Sequence, residues 1–285
     1  MEHPLHGRGP TEGRRHWLRR AAAVLLCAWP ALWGGGCSKG GAGPAPGSVT
    51  LYAASSLRDA LQALQPALEQ AVDGELVLNL GSSGDLARQI LAGGHADVFI
   101  SADELEMNRL ADRALVADPT RRALLGNRLV VIEPAAGPAE EPTVNSPDAG
   151  PAFDPASLAQ PRIRLLSLAN VETVPAGRYA KAWLERRGLW ERVQGRVLPG
   201  VDARAALAAV ESGGAQAGIV YRSDALRSRR VRIVHEVDPD EAPEIVYPCA
   251  RLRASQDPER ARKLLEFLAG DAARAEFQRQ GFEVR

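Results

Sequence analysis

Four short stretches place small residues where an extended segment gives way to a helical one. They are Ala54-Ser55-Ser56, Gly81-Ser82-Ser83-Gly84, Val174-Pro175-Ala176-Gly177 and Val201-Asp202-Ala203-Arg204. The first turn of a helix leaves N–H groups unpaired and carries a partial positive charge, so such junctions suit anions. Each also has an ordinary structural explanation. Ser56 with Asp59 reads as a capping box. Pro175 suits a first helical position, where its missing N–H costs nothing. Asp202 is a good N-cap. Taken singly, capping explains each junction better than a ligand does. Residue types and spacing alone reach an α/β protein with a cleft for a small anion.

Catalytic motifs are weak by comparison. Gly81-Ser82-Ser83-Gly84 is not the five-residue GxSxG elbow, and no histidine is spaced to complete a triad. The GxxxxGK[ST] phosphate loop is missing, and the glycine pairs at 93–94 and 213–214 read as turns. An exported hydrolase with Ser56 or Ser83 as nucleophile stays as the alternative from another class. It would need a base within hydrogen-bond reach of the serine.

Elements that could position these junctions follow in alternation. Val49–Ala53 reads as a strand, and Leu57, Ala60, Leu61, Leu64, Leu68 and Val72 recur at helical spacing. Leu76–Leu80 and Val98–Ile100 read as strands with a helix from Leu86 between them. Ser101 and Glu104 form a capping box for a helix carrying Leu105 and Leu110. Arg128–Glu133, Ile163–Leu168, Ala217–Tyr221 and Ile245–Leu252 are further strands. Tyr179–Leu189 and Ala203–Val210 are helical, and Pro258–Gln280 holds two helices broken at Ala269-Gly270-Asp271. Pro134–Pro161 reads mainly as loop. Strands alternating with helices define an α/β fold.

The chain of 285 residues is 45% hydrophobic and 25% charged, the balance of a globular protein, with formal net charge +0. Nothing in bulk charge points to nucleic acid. Arg14, Arg15, Arg19 and Arg20 precede the short apolar run Ala21–Trp33 and three glycines, so residues 1–36 read as an export signal. Small residues directly before Cys37 give it lipoprotein character, with Cys37 lipidated; simple export is the alternative, because Gly34 stands where a bulky aliphatic residue is usual. Residues 37–47 read as a flexible tether. Removing 1–36 leaves 30 basic and 33 acidic residues, a net charge of −3. An anion must therefore be held by local dipoles rather than by bulk positive charge. Beyond the signal, Cys249 is a lone thiol, and His95 and His235 are the remaining histidines, so no metal site is expected.

Several blocks closely resemble the molybdate-binding proteins of bacterial ABC importers. They are Tyr52–Leu57, Gly81–Ile90, Ala96–Asp103, Leu124–Val130, Val174–Lys181 and Gly218–Tyr221. They come in the family's order and span almost the whole chain after the signal. The resemblance implies a two-lobed periplasmic-binding fold of type II, each lobe a mixed sheet flanked by helices, with the ligand between the lobes. Lobe I would be residues 48–128 plus 247–285, and lobe II residues 129–246. It also implies a monomer, exported to the periplasm or anchored by lipid to the outer side of the inner membrane. Its partners would be molybdate or tungstate and a membrane permease, with no catalysis and no cofactor. The implied ligand residues are Ser56, Ser83, Ala176, Ala203 and Tyr221, the two alanines through backbone N–H alone.

A donor-only site would favour a fully ionised dianion. Hydrogen phosphate would bring a proton that meets no acceptor, at a cost of about 1–3 kcal/mol. Sulfate, the ligand of the alternative reading, would have to be rejected by cavity size. Three features depart from the family pattern: Asn170-Val171 where Asp-Pro is frequent, Gly84 at a serine position, and a longer Pro-rich segment over 135–160.

Overall fold

The computed structural model describes residues 47–135, 137 and 153–285. The export signal, most of the tether with Cys37, and most of the Pro-rich segment lie outside the described residues.

Two mixed sheets form the framework. The first comprises β1 (Ser48–Ala54), β2 (Glu75–Gly81), β3 (Val98–Ile100), β4 (Arg122–Asn127), β10 (Ile245–Arg251) and β11 (Glu283–Val284). Its order is β11-β4-β10-β3-β1-β2. The second comprises β5 (Leu129–Pro134), β6 (Leu166–Ala169), β7 (Val197–Gly200), β8 (Ala217–Tyr221) and β9 (Val231–Glu236), in the order β7-β6-β8-β5-β9. Both sheets read second, first, third, then an antiparallel strand that crosses between lobes. β1 runs parallel to β2 and β3, and β6 parallel to β7 and β8, while β10 and β5 run antiparallel to their neighbours. The chain passes between sheets at Arg128 and returns between Glu236 and Ile245. These two crossovers make the fold the two-lobed periplasmic-binding type.

Helices cover the sheet faces. In the first lobe they are α1 (Arg58–Val72), α2 (Ser83–Leu91), α3 (Glu104–Ala111), α8 (Pro258–Leu268) and α9 (Asp271–Arg279). In the second they are α4 (Pro175–Arg186), α5 (Trp190–Val193), α6 (Ala203–Glu211) and α7 (Arg222–Ala225). In α1 the buried residues Ala60, Leu61, Leu64, Leu68 and Val72 form one stripe, as their spacing predicts. Cys249 is buried on β10, and burial pushes its thiol up to about 12, so it stays protonated and inert.

Local expectations fail where tertiary partners win. Ser56 caps no helix: it lies in a short 3-10 turn, Ser55–Leu57, and its hydroxyl reaches Tyr247. Ser101 does not cap α3 either. Asp103 does, accepting from Glu106 N–H, and Glu104 pairs instead with Arg121. The predicted strand Arg128–Glu133 is β5, shifted by one residue, and β4, β7, β9 and β11 were not legible in the sequence.

Candidate functional site

Register brings the junctions together in pairs. Ala54 at the end of β1 is the partner of Gly81 at the end of β2, so Ser56 and Ser83 follow from adjacent strands. Ala169 at the end of β6 is the partner of Gly200 at the end of β7, so α4 and α6 likewise start side by side. Tyr221 closes β8, the parallel neighbour of β6 on its other side. In open parallel sheets the crevice beyond the carboxyl ends of the strands is where ligands bind. Here two such crevices face each other.

All five positions, Ser56, Ser83, Ala176, Ala203 and Tyr221, line a single cavity between the lobes. Its volume is about 10 Å³. Pockets for drug-sized organic ligands run from about 300 Å³ upward, so the site as closed here has no room for an organic ligand of that size. The remaining lining residues are Ala54, Ser55, Gly81, Ser82, Ala102, Val174 and Pro175, none of them charged.

The cavity is a convergence of hydrogen-bond donors. α2 is capped by Ser82, which accepts from Asp85 N–H and leaves Ser83 at the first helical position. α6 is capped by Asp202, which accepts from Ala205 N–H, and Ala203 follows at its first position. α4 opens with Pro175, and its N-cap Val174 supplies no side-chain acceptor to the first turn. The backbone here is tightly packed: a Cβ on Gly177 would lie 2.2 Å from the carbonyl oxygen of Ala169. Three helix N-termini thus point at one spot with their partial positive charges.

Hydroxyl groups add to this set. Ser83 Oγ accepts from Ala102 N–H at 2.9 Å, which leaves its own proton free. Ser56 Oγ lies 3.0 Å from the hydroxyl of Tyr247. Tyr221, which lines the cavity, is 1% exposed, and its hydroxyl has no hydrogen-bond partner among the described residues. A buried hydroxyl without a partner is costly, so a ligand that accepts from it gains by that much. Burial holds the phenols of Tyr221 and Tyr247 far above their ordinary pKa, so both keep their protons.

Two ionic contacts join the lobes beside the cavity. Arg178 of α4 donates to Asp103, with Nε 3.2 Å from Oδ2, and to Oε1 of the buried Glu106 at 3.0 Å. Arg204 of α6 pairs with Asp59 of α1 and lies 3.3 Å from Oδ1 of Asp224. Backbones also meet across the gap: a Cβ on Gly84 would sit 2.2 Å from the carbonyl oxygen of Thr173. Sequence reasoning did not single out Tyr247, Asn127 or Arg178. Asn127 and Arg178 lie inside the quoted blocks, whereas Tyr247 carried no signal beyond its strand.

A fold of two crevices closed over an uncharged, donor-lined cavity defines a solute-binding protein. The chain belongs to the bacterial extracellular solute-binding proteins, whose family model matches residues 49–283. Among its relatives is the molybdate-binding protein ModA of Escherichia coli (strain K12), 35% identical over 239 residues, which cover 84% of this chain and 90% of that one. ModA of Haemophilus influenzae is also 35% identical, over 85% of this chain and 92% of its own. The periplasmic molybdate-binding protein of Azotobacter vinelandii shares the fold, with a TM-score of 0.70 at 19% identity over 83% of this chain and 99% of that one.

Proposed function

We propose that this protein captures molybdate and tungstate outside the cytoplasm and delivers them to the membrane permease of an ABC importer, with no catalytic step and no cofactor. The observation that carries the reading is the cavity itself. Ser56, Ser83, Ala176, Ala203 and Tyr221 converge there from both lobes, each with an O–H or N–H group able to donate, and with no charged side chain among the lining residues. A dianion would be held by hydrogen bonds and helix dipoles, each bond to a charged partner contributing about 1.5–3 kcal/mol. Because the donors come from both lobes, the ligand favours the closed form. The moving bodies would divide near residues 128/129 and 246/247.

The serines have partners of the wrong kind for nucleophiles. Ser56 meets a phenol and Ser83 a backbone N–H, and neither is a general base. Relatives that bind molybdate, at 35% identity over most of the chain, favour molybdate over sulfate. The basic, apolar and small-residue pattern of residues 1–36 supports export, with Cys37 as lipid anchor on the outer side of the inner membrane. The protein would act as a monomer.

Isothermal titration with molybdate, tungstate, sulfate and phosphate tests the reading. One-to-one binding of the first two, with the others silent, is expected. Sulfate binding in their place moves the function to another importer. Silence from all four removes the oxyanion reading.

A further inference from the structure

We propose that Tyr247, which does not itself line the cavity, is a specificity-determining positioning residue: it turns the Ser56 proton into the cavity and so selects oxyanions that carry no proton. This rests on the oxyanion reading above.

Asn127 Oδ1 lies 2.9 Å from the N–H of Arg128 and 3.5 Å from that of Ser223. An N–H can only donate, so the carboxamide cannot be turned the other way round. Its NH2 group then faces Ser223 Oγ at 2.8 Å and Tyr247 Oη at 3.2 Å. That group has no acceptor, so Tyr247 Oη accepts there. The single phenolic proton is left for Ser56 Oγ at 3.0 Å. Ser56 accepts it, and its own proton points to the cavity.

The same polarity holds at the second serine, whose oxygen accepts from Ala102 N–H. Both hydroxyls therefore face the ligand as donors, each directed by a fixed donor behind it. A protonated oxyanion would need one of them to accept. At Ser56 the device depends on one oxygen atom of Tyr247. The Tyr247 ring has separate work: it packs against Tyr221 and Phe282 at 5.9 and 5.6 Å between centroids. Phenylalanine would keep that packing and release only the proton relay.

The test is calorimetry of wild type, Ser56→Ala, Tyr247→Phe and the double variant, with molybdate and with inorganic phosphate at neutral pH. Tyr247→Phe is expected to weaken molybdate about three- to tenfold, the range of one ordinary hydrogen bond, and to shrink the molybdate-over-phosphate ratio. In the Ser56→Ala background it should change nothing further, because Tyr247 acts through Ser56. Additive losses, or an unchanged ratio, would mean that Tyr247 is structural only and would overturn the proposal. So would full molybdate affinity in Ser56→Ala. A wild-type protein that binds no oxyanion removes the parent reading and the proposal together, a result distinct from the others. If Tyr247→Phe fails to fold, Asn127→Ala breaks the relay one step earlier, with the same non-additivity expected.

Discussion

Tyr221→Phe removes one oxygen atom and leaves the ring in place. In most buried sites that change breaks a hydrogen bond and lowers stability. Here the hydroxyl has no partner among the described residues, so no internal bond is lost. The ring keeps its contact with Tyr247, 5.9 Å between centroids. Stability of the ligand-free protein should therefore hold or rise slightly. Binding should respond in the opposite sense. A hydrogen bond from the phenol to a dianion is worth about 1.5–3 kcal/mol, and every 1.4 kcal/mol is tenfold in affinity. Molybdate should bind about ten- to 150-fold more weakly. Two assays read the two signs: thermal unfolding without ligand, and calorimetric titration with it. At saturating molybdate the ligand-induced stabilisation should fall by about 1.4 kcal/mol for each tenfold loss of affinity. Affinity within twofold of wild type would place the Tyr221 hydroxyl outside the site. A melting temperature several degrees lower would reveal a structural role and refute the reasoning from its lack of a partner.

Ser83→Ala should weaken molybdate by about 1.5–3 kcal/mol, since its free proton faces the cavity; unchanged affinity in a titration would remove Ser83 from the site. Gly84→Ala places a Cβ 2.2 Å from the Thr173 carbonyl oxygen across the gap, so it should hinder closure. We expect at least about a tenfold loss of affinity with little change in ligand-free melting temperature, because strain of about 1.4 kcal/mol in the closed form alone suffices; normal affinity would show that the contact yields. Asp224 is buried, which pushes its carboxyl up to about 7 while Arg204 pulls the other way. A raised folded pKa contributes stability that is full below the ordinary value near 4 and is lost as pH rises through 7. Asp224→Asn should therefore flatten the fall in stability between those limits. At pH 8 it should stabilise the protein by on the order of 1–2 kcal/mol, as each pKa unit is worth about 1.4 kcal/mol and the lost Arg204 contact offsets part of that. Parallel melting curves against pH for variant and wild type would contradict this.

Much of the molecule is local enough to read from its residues. The stripe of α1, the Asp202 cap, Pro175 at the start of α4 and the break at Gly270 each depend on neighbours within a turn or two. The α/β class follows from their alternation with apolar strands. Ser56 with Asp59 and Ser101 with Glu104 have capping-box spacing, yet Ser56 is drawn to Tyr247, 191 positions away, and Asp103 takes the cap that Ser101 could have made. A spacing rule sees only the competitors nearby.

The site divides along the same line. Residue types at the junctions showed that helix N-termini and hydroxyls were available, and the resemblance named five of them. That they share one cavity depends on the pairing of Ala54 with Gly81 and of Ala169 with Gly200, and on two crossovers that turn one lobe to face the other. The direction of each serine proton depends on groups as distant in sequence as Asn127 and Tyr247. Donor availability is a property of the residue and its immediate backbone, and a sequence carries it. Donor convergence and polarity are properties of long-range packing, and only the tertiary structure decides them.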